Sequence, residues 1–247
     1  MSQWHSVKAG RYGSRLYVWV DAALSTEAML AHAYPHTSNN ATIYLGGAKD
    51  LSTLPFDAMF GPPESYTGCI RNLHVNNILI VLEQQNIQEG QNLGDCDGTP
   101  CGGEACGGGV CVIEAGRARC SCSGLGGGST RCRRHAACSP ALCSAPRGHC
   151  AAGGCVCASG YTGFHCEHKI NITIPQFDGS ALLSPWRAGA RRAGAQRAPR
   201  SRPHYLALNF TTPEPDGLLL WADMDKDYIG MGLENGYLRL VWSLRHN

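Results

Sequence analysis

Residues 138–166 read CSPALCSAPRGHCAAGGCVCASGYTGFHC, with cysteines at 138, 143, 150, 155, 157 and 166. Gly, Ala, Ser and Cys dominate between the first and last of them, so little apolar surface is available for burial. Such a stretch cannot offset its conformational entropy by packing and must be stapled. Immediately upstream a second hexad stands at 101, 106, 111, 120, 122 and 132. Each hexad has one gap of a single residue, Cys120-x-Cys122 and Cys155-x-Cys157, so the spacing describes an internal repeat. Six cysteines permit many connectivities, and spacing alone leaves the pairing open.

Twelve of the 14 cysteines lie in these hexads, and the others are Cys69 and Cys96. A zinc site would need paired Cys-x2-Cys or Cys/His knuckles, and no Cys-x2-Cys occurs. Disulfides in an oxidising compartment are the better reading. The net charge of +2 gives no general attraction to nucleic acid or to acidic membrane surfaces. No apolar run is long enough to span a membrane. The N-terminus MSQWHSVKAG lacks the apolar core of a signal peptide, so the sequence is expected to be an internal piece of a longer secreted protein.

Outside the hexads the pattern is that of strands. Leu16, Val18 and Val20 alternate with Tyr17 and Trp19, and Leu206, Leu208 and Phe210 alternate with Tyr205, Ala207 and Asn209. Residues 42–45, 69–75 and 78–82 add further strands, with Asn76-Asn77 as a turn. Gly217 to Trp221 forms a continuous apolar strand. Ile229, Met231 and Leu233 then turn through Asn235-Gly236, a strong hairpin signal, into Leu238, Leu240 and Trp242. The fold class expected is mainly β, with Pro, Gly and Asn punctuating an all-β sandwich.

The second hexad, with its ending Gly160-Tyr161-Thr162-Gly163-Phe164-His165-Cys166, resembles an epidermal-growth-factor-like (EGF-like) module. The resemblance implies the pairs Cys138–Cys150, Cys143–Cys155 and Cys157–Cys166. Applied to the first hexad, a degenerate copy, it implies Cys101–Cys111, Cys106–Cys120 and Cys122–Cys132. The flanks resemble laminin G-like domains, jelly-roll β-sandwiches. Trp4 to Val7, Leu16 to Asp21, Ile43 to Gly47 and Tyr66 to Leu73 match a C-terminal half, while Asp216 to Trp221 and Asp227 to Val241 match an N-terminal half. That family's late cystine implies Cys69–Cys96. The organisation expected is a partial laminin G-like sandwich over 1–96, EGF-like modules over 97–133 and 134–168, and a second partial sandwich over 170–247 with a basic insert at 185–203. Each half is expected to need a missing partner half, because a lone hairpin is marginal in water.

Function follows from the same resemblance. It implies a secreted matrix or adhesion protein binding a glycosylated cell-surface receptor or heparan sulfate. The alternative is a receptor ectodomain or ligand of the Notch-pathway or Crumbs type. Against that alternative, Val110 and His149 precede the third cysteines, where O-fucosylated modules carry Ser or Thr. Laminin G-like domains often hold calcium at the sandwich rim, which implies Asp227 as a carboxylate ligand and Leu244 as a carbonyl ligand; Asp223 and Asp225 add charge nearby. A calcium-binding EGF-like motif is absent, since Asp97-Gly98-Thr99-Pro100 precedes Cys101. His5, Asp21 and a serine make a triad only on paper, because no nucleophile motif, metal triad or phosphate loop surrounds them. No enzyme is expected. Sequons mark Asn40, Asn171 and Asn209 as glycosylation candidates. The Arg-rich segment Arg187 to Arg202 reads either as a heparan sulfate site or as a passive surface insert.

Overall fold

The computed structural model describes residues 3–29, 42–55, 64–96, 110–114, 117–121, 143, 145–151, 154–162, 165–185, 205–224 and 227–243. The strands in chain order are β1 His5–Tyr12, β2 Arg15–Val20, β3 Ala23–Met29, β4 Thr42–Leu45, β5 Thr67–Val75, β6 Ile78–Ile80, β7 Glu89–Gln91 and β8 Gly94–Asp95. Then come β9 Val110–Glu114, β10 Arg117–Ser121, β11 Gly148–Ala151, β12 Gly154–Cys157, β13 Tyr161–Thr162 and β14 His168–Lys169. The last are β15 Pro175–Asp178, β16 Leu182–Ser184, β17 Tyr205–Thr211, β18 Gly217–Met224, β19 Asp227–Glu234 and β20 Tyr237–Ser243.

Two-residue turns set the hairpin registers. Asn76-Asn77 and Asn235-Gly236 have positive φ at both positions, the mirror-image turn that suits strand twist. Asp21-Ala22 does the same between β2 and β3, at φ 48° and 66°, without a glycine.

Two sheets result. One runs β3-β2-β1-β17-β5-β15-β8, with β6 added on β5, and the other runs β20-β19-β18-β4-β16-β7. Their apolar faces meet in one core. Val7, Ala9, Ile70, Leu73, Leu206, Leu208 and Phe177 come from the first sheet, and Ile43, Leu45, Leu183, Leu220, Ala222 and Met231 from the second. The alternation at Leu206, Leu208 and Phe210 is therefore an inward-facing row. Trp221 in the continuous apolar strand faces the other way, where Leu54 packs against it and Tyr228 stacks at 4.9 Å.

The sequence halves do not stand apart. β17 lies between β1 and β5, pairing Val7 with Leu208 on one side and Ile70 with Phe210 on the other. In the opposite sheet β4 lies between β18 and β16. Residues 1–96 and 170–247, expected as halves of two different sandwiches, complete each other in one. The physical reason is that each half leaves both apolar faces and strand edges uncovered, and the other half supplies matching strands for both. Tyr66 secures the junction. Its buried hydroxyl donates to the carbonyls of Thr211 at 2.7 Å and Cys69 at 3.2 Å, and burial raises its pKa far above the ordinary tyrosine range.

Candidate functional site

Cystines anchor the sandwich and what is attached to it. Cys69 is bonded to Cys96, tying β5 to the end of β8. In the second hexad Cys143 is bonded to Cys155 and Cys157 to Cys166. Cys150 is also disulfide-bonded, and Cys138 lies outside the described residues. In the first hexad Cys111 and Cys120 are opposed in the backbone register of β9 and β10, while Cys101, Cys106, Cys122 and Cys132 lie outside the described residues.

The second stapled module is docked on the sandwich edge by main-chain mimicry. Asn92, at φ 52°, donates its N–H to the Cys157 carbonyl at 3.0 Å, and its Oδ1 accepts the Cys157 N–H at 2.8 Å. Gln84 Nε2 donates to Ser159 Oγ at 3.0 Å, and Gln91 bridges Ala158. These contacts continue the β7 edge into the module, so its direction relative to the sandwich is fixed by hydrogen bonds. Nothing in the sequence pattern singled out Asn92 or Gln84; an Asn with positive φ is visible only once the backbone is known.

His5 and Asp21 do meet. His5 Nδ1 lies 2.7 Å from Asp21 Oδ2, and Asp21 Oδ1 accepts the Ser6 main-chain N–H at 2.8 Å. Those two contacts, the His5 one larger, hold the Asp21 carboxyl below its ordinary pKa. Ser6 contributes its backbone here, and no serine hydroxyl bonds to His5 among the described residues. The pair clamps the glycine-free turn at Asp21-Ala22 and lacks a nucleophile.

The outward face of the first sheet is built from side chains that alternate with the core rows. Tyr17 and Tyr205 flank Gly10, and Trp19 stands opposite Lys8. Desolvation, helped by Tyr17, raises the Tyr205 pKa. Asn209 is centred between Ser6 on β1 and Arg71 on β5. The Arg71 guanidinium lies 4.0 Å over the Trp4 ring. Arg15 is paired with Glu27 at 2.9 Å, so that charge is locally answered.

The sequence-predicted calcium residues are only partly placed. Asp227 opens β19, its backbone opposite Met224, and Leu244 lies outside the described residues. Asp223 pairs with Thr42 as well as with Tyr228, so the rim of β18 adjoins the start of β4. No group of three or more His, Cys, Asp or Glu side chains forms a metal cluster among the described residues. Of the sequon asparagines, Asn171 is exposed, Asn209 is half-buried and Asn40 lies outside the described residues. The Arg-rich residues 187–202 also lie outside them.

Residues 1–78 match the laminin G domain. The chain is 37% identical over 254 residues to "Protein eyes shut" of Drosophila melanogaster, covering 99% of this chain and 12% of that protein. It is 24% identical over 248 residues to "Pikachurin" of Rattus norvegicus, covering 96% of this chain and 20% of that protein. It is 22% identical over 274 residues to "Basement membrane-specific heparan sulfate proteoglycan core protein" of Mus musculus, covering 99% of this chain and 7% of that protein. The chain thus spans a small part of the length of these relatives. No solved structure matches it.

Proposed function

We propose that the chain is a laminin G-like protein of the secreted extracellular matrix and works as a binding module without catalytic chemistry. Its partner class is a glycosylated cell-surface receptor or heparan sulfate, bound by the sandwich. The observation that carries this reading is the clamp between Asn92 and Cys157, which joins a stapled module to a sandwich built from both ends of the chain. A rigid pair of that kind presents loops and strand ends in fixed relation, as a spacer between partners requires. The test is retention on heparin across a salt gradient. Retention that falls steeply with salt supports charge pairing, and loss on deleting residues 187–202 assigns it to the arginines there. Binding to neither heparin nor glycosylated receptor ectodomains refutes the proposal.

Calcium at Asp227 is a second reading, favoured by the pairing of Asp223 with Thr42, which brings chain from the first half to the rim of the second. Calorimetry at millimolar calcium tests it. A wild-type signal lost in Asp227→Ala supports the assignment, and equal behaviour of the two refutes it.

A further inference from the structure

Unsatisfied polar atoms collect around one sequon. Asn209, Phe210 and Thr211 lie on β17, so Asn209 and Thr211 share the outward face of the first sheet. The Asn209 amide makes no hydrogen bond among the described residues. The Thr211 hydroxyl beside it is buried without a partner, and so is Nε of Arg71, directly cross-strand from Asn209. Buried donors left unpaired are costly, and each calls for an explanation. The Trp4 ring lies against the Arg71 guanidinium at 4.0 Å. A half-buried amide without a hydrogen-bond partner beside an aromatic ring is a seat for an attached polar ring with an apolar face. The contrast is Asn171, whose sequon hydroxyl, on Thr173, is already bonded to Asp95 at 3.1 Å.

We propose that Asn209 carries an N-linked glycan whose first sugar packs on the shelf formed by Trp4 and Arg71. In the secretory route Asn209 Nδ2 attacks the anomeric carbon of a pyrophosphate-linked lipid oligosaccharide. The C–N bond forms, the C–O bond to the pyrophosphate breaks, and Nδ2 gives up one proton. The C–H face of the first sugar then covers the Trp4 ring, beside the Arg71 guanidinium. The sugar thereby caps the middle of the outward sheet face and directs partner binding to the strand ends. The inference rests on the secreted reading, but the two fail separately: a secreted chain unmodified at Asn209 refutes only the inference.

The experiment is glycopeptide mass spectrometry on protein secreted from animal cells, followed by thermal unfolding. Asn209 is expected to be occupied, and Thr211→Ser, which keeps the sequon, to retain occupancy. Trp4→Ala is expected to lower the Tm of the glycosylated protein by roughly 2–4 °C more than it lowers that of Asn209→Gln. Trimming the glycan to its first sugar with an endoglycosidase is expected to leave the Tm in place. An unmodified Asn209 peptide overturns the proposal. So does an equal effect of Trp4→Ala in both backgrounds, or a Tm that falls on trimming to one sugar.

Discussion

Gly46 and Phe177 offer a test of how the two ends of the chain are joined. Gly46 follows β4 at φ +75°, and a Cβ built there would lie 2.8 Å from Phe177 Cγ and nearer still to two other ring atoms. Phe177 is fully buried on β15 and meets Tyr66 edge-on at 5.9 Å. Gly46→Ala therefore combines left-handed backbone strain of about 1–2 kcal/mol with overpacking of about 1–3 kcal/mol. Phe177→Ala alone removes a buried ring and costs about 3–5 kcal/mol. In the double variant the ring that the added methyl group would strike is gone, so only the backbone strain is added to the cavity. The double variant is expected to be more stable than the sum of the singles by about 1–3 kcal/mol, the overpacking part. Urea unfolding with disulfides intact measures all four proteins. Additivity within about 0.5 kcal/mol would refute the contact, and with it the packing of residues 42–47 against residues 175–178.

Other consequences are smaller in scale. Tyr66→Phe should cost about 1–3 kcal/mol, because two buried carbonyls lose a donor; an unchanged urea midpoint would contradict the junction described. The Asp21 carboxyl has a lowered pKa in the folded chain, so its contribution to stability is present above the ordinary value of 3.8 and is lost as pH falls through the lower folded value. His5→Ala should move the Asp21 titration, followed by NMR, back toward that value; no movement would dismiss the pair. Asn92→Ala should speed amide exchange at Cys157 while leaving Cys69 to Val75 protected, since Asn92 Oδ1 accepts the Cys157 N–H.

The rows of Leu206, Leu208 and Phe210, and of Val18 and Val20, were legible because strand period two maps directly onto the inward face. The turns at Asn76-Asn77 and Asn235-Gly236 were legible because few residues tolerate positive φ. Which sandwich each strand joins was not legible. Alternation marks a face but carries no address for the neighbouring strand, and family position assigned each half to its own copy. The clamp at Asn92 was hidden for a related reason: its geometry depends on a backbone angle and on a module 65 positions away in sequence. The pairing of His5 with Asp21 could be drawn from composition, but only the hairpin register shows that Ser6 meets Asp21 through its backbone.

Residues before and after the stapled modules share one sheet, and Lys8 and Ala207 report on that sharing most directly. They are cross-strand partners on the outward face of β1 and β17. Opposed residues in an antiparallel pair have Cα atoms about 4.5–5.5 Å apart, within the span of a cystine. Secreted Lys8→Cys/Ala207→Cys protein, mapped by non-reducing peptide mass spectrometry, should contain the linked pair within monomers. Two free thiols in the folded monomer, or a link formed only between copies, would contradict a sandwich closed by the two ends of one chain.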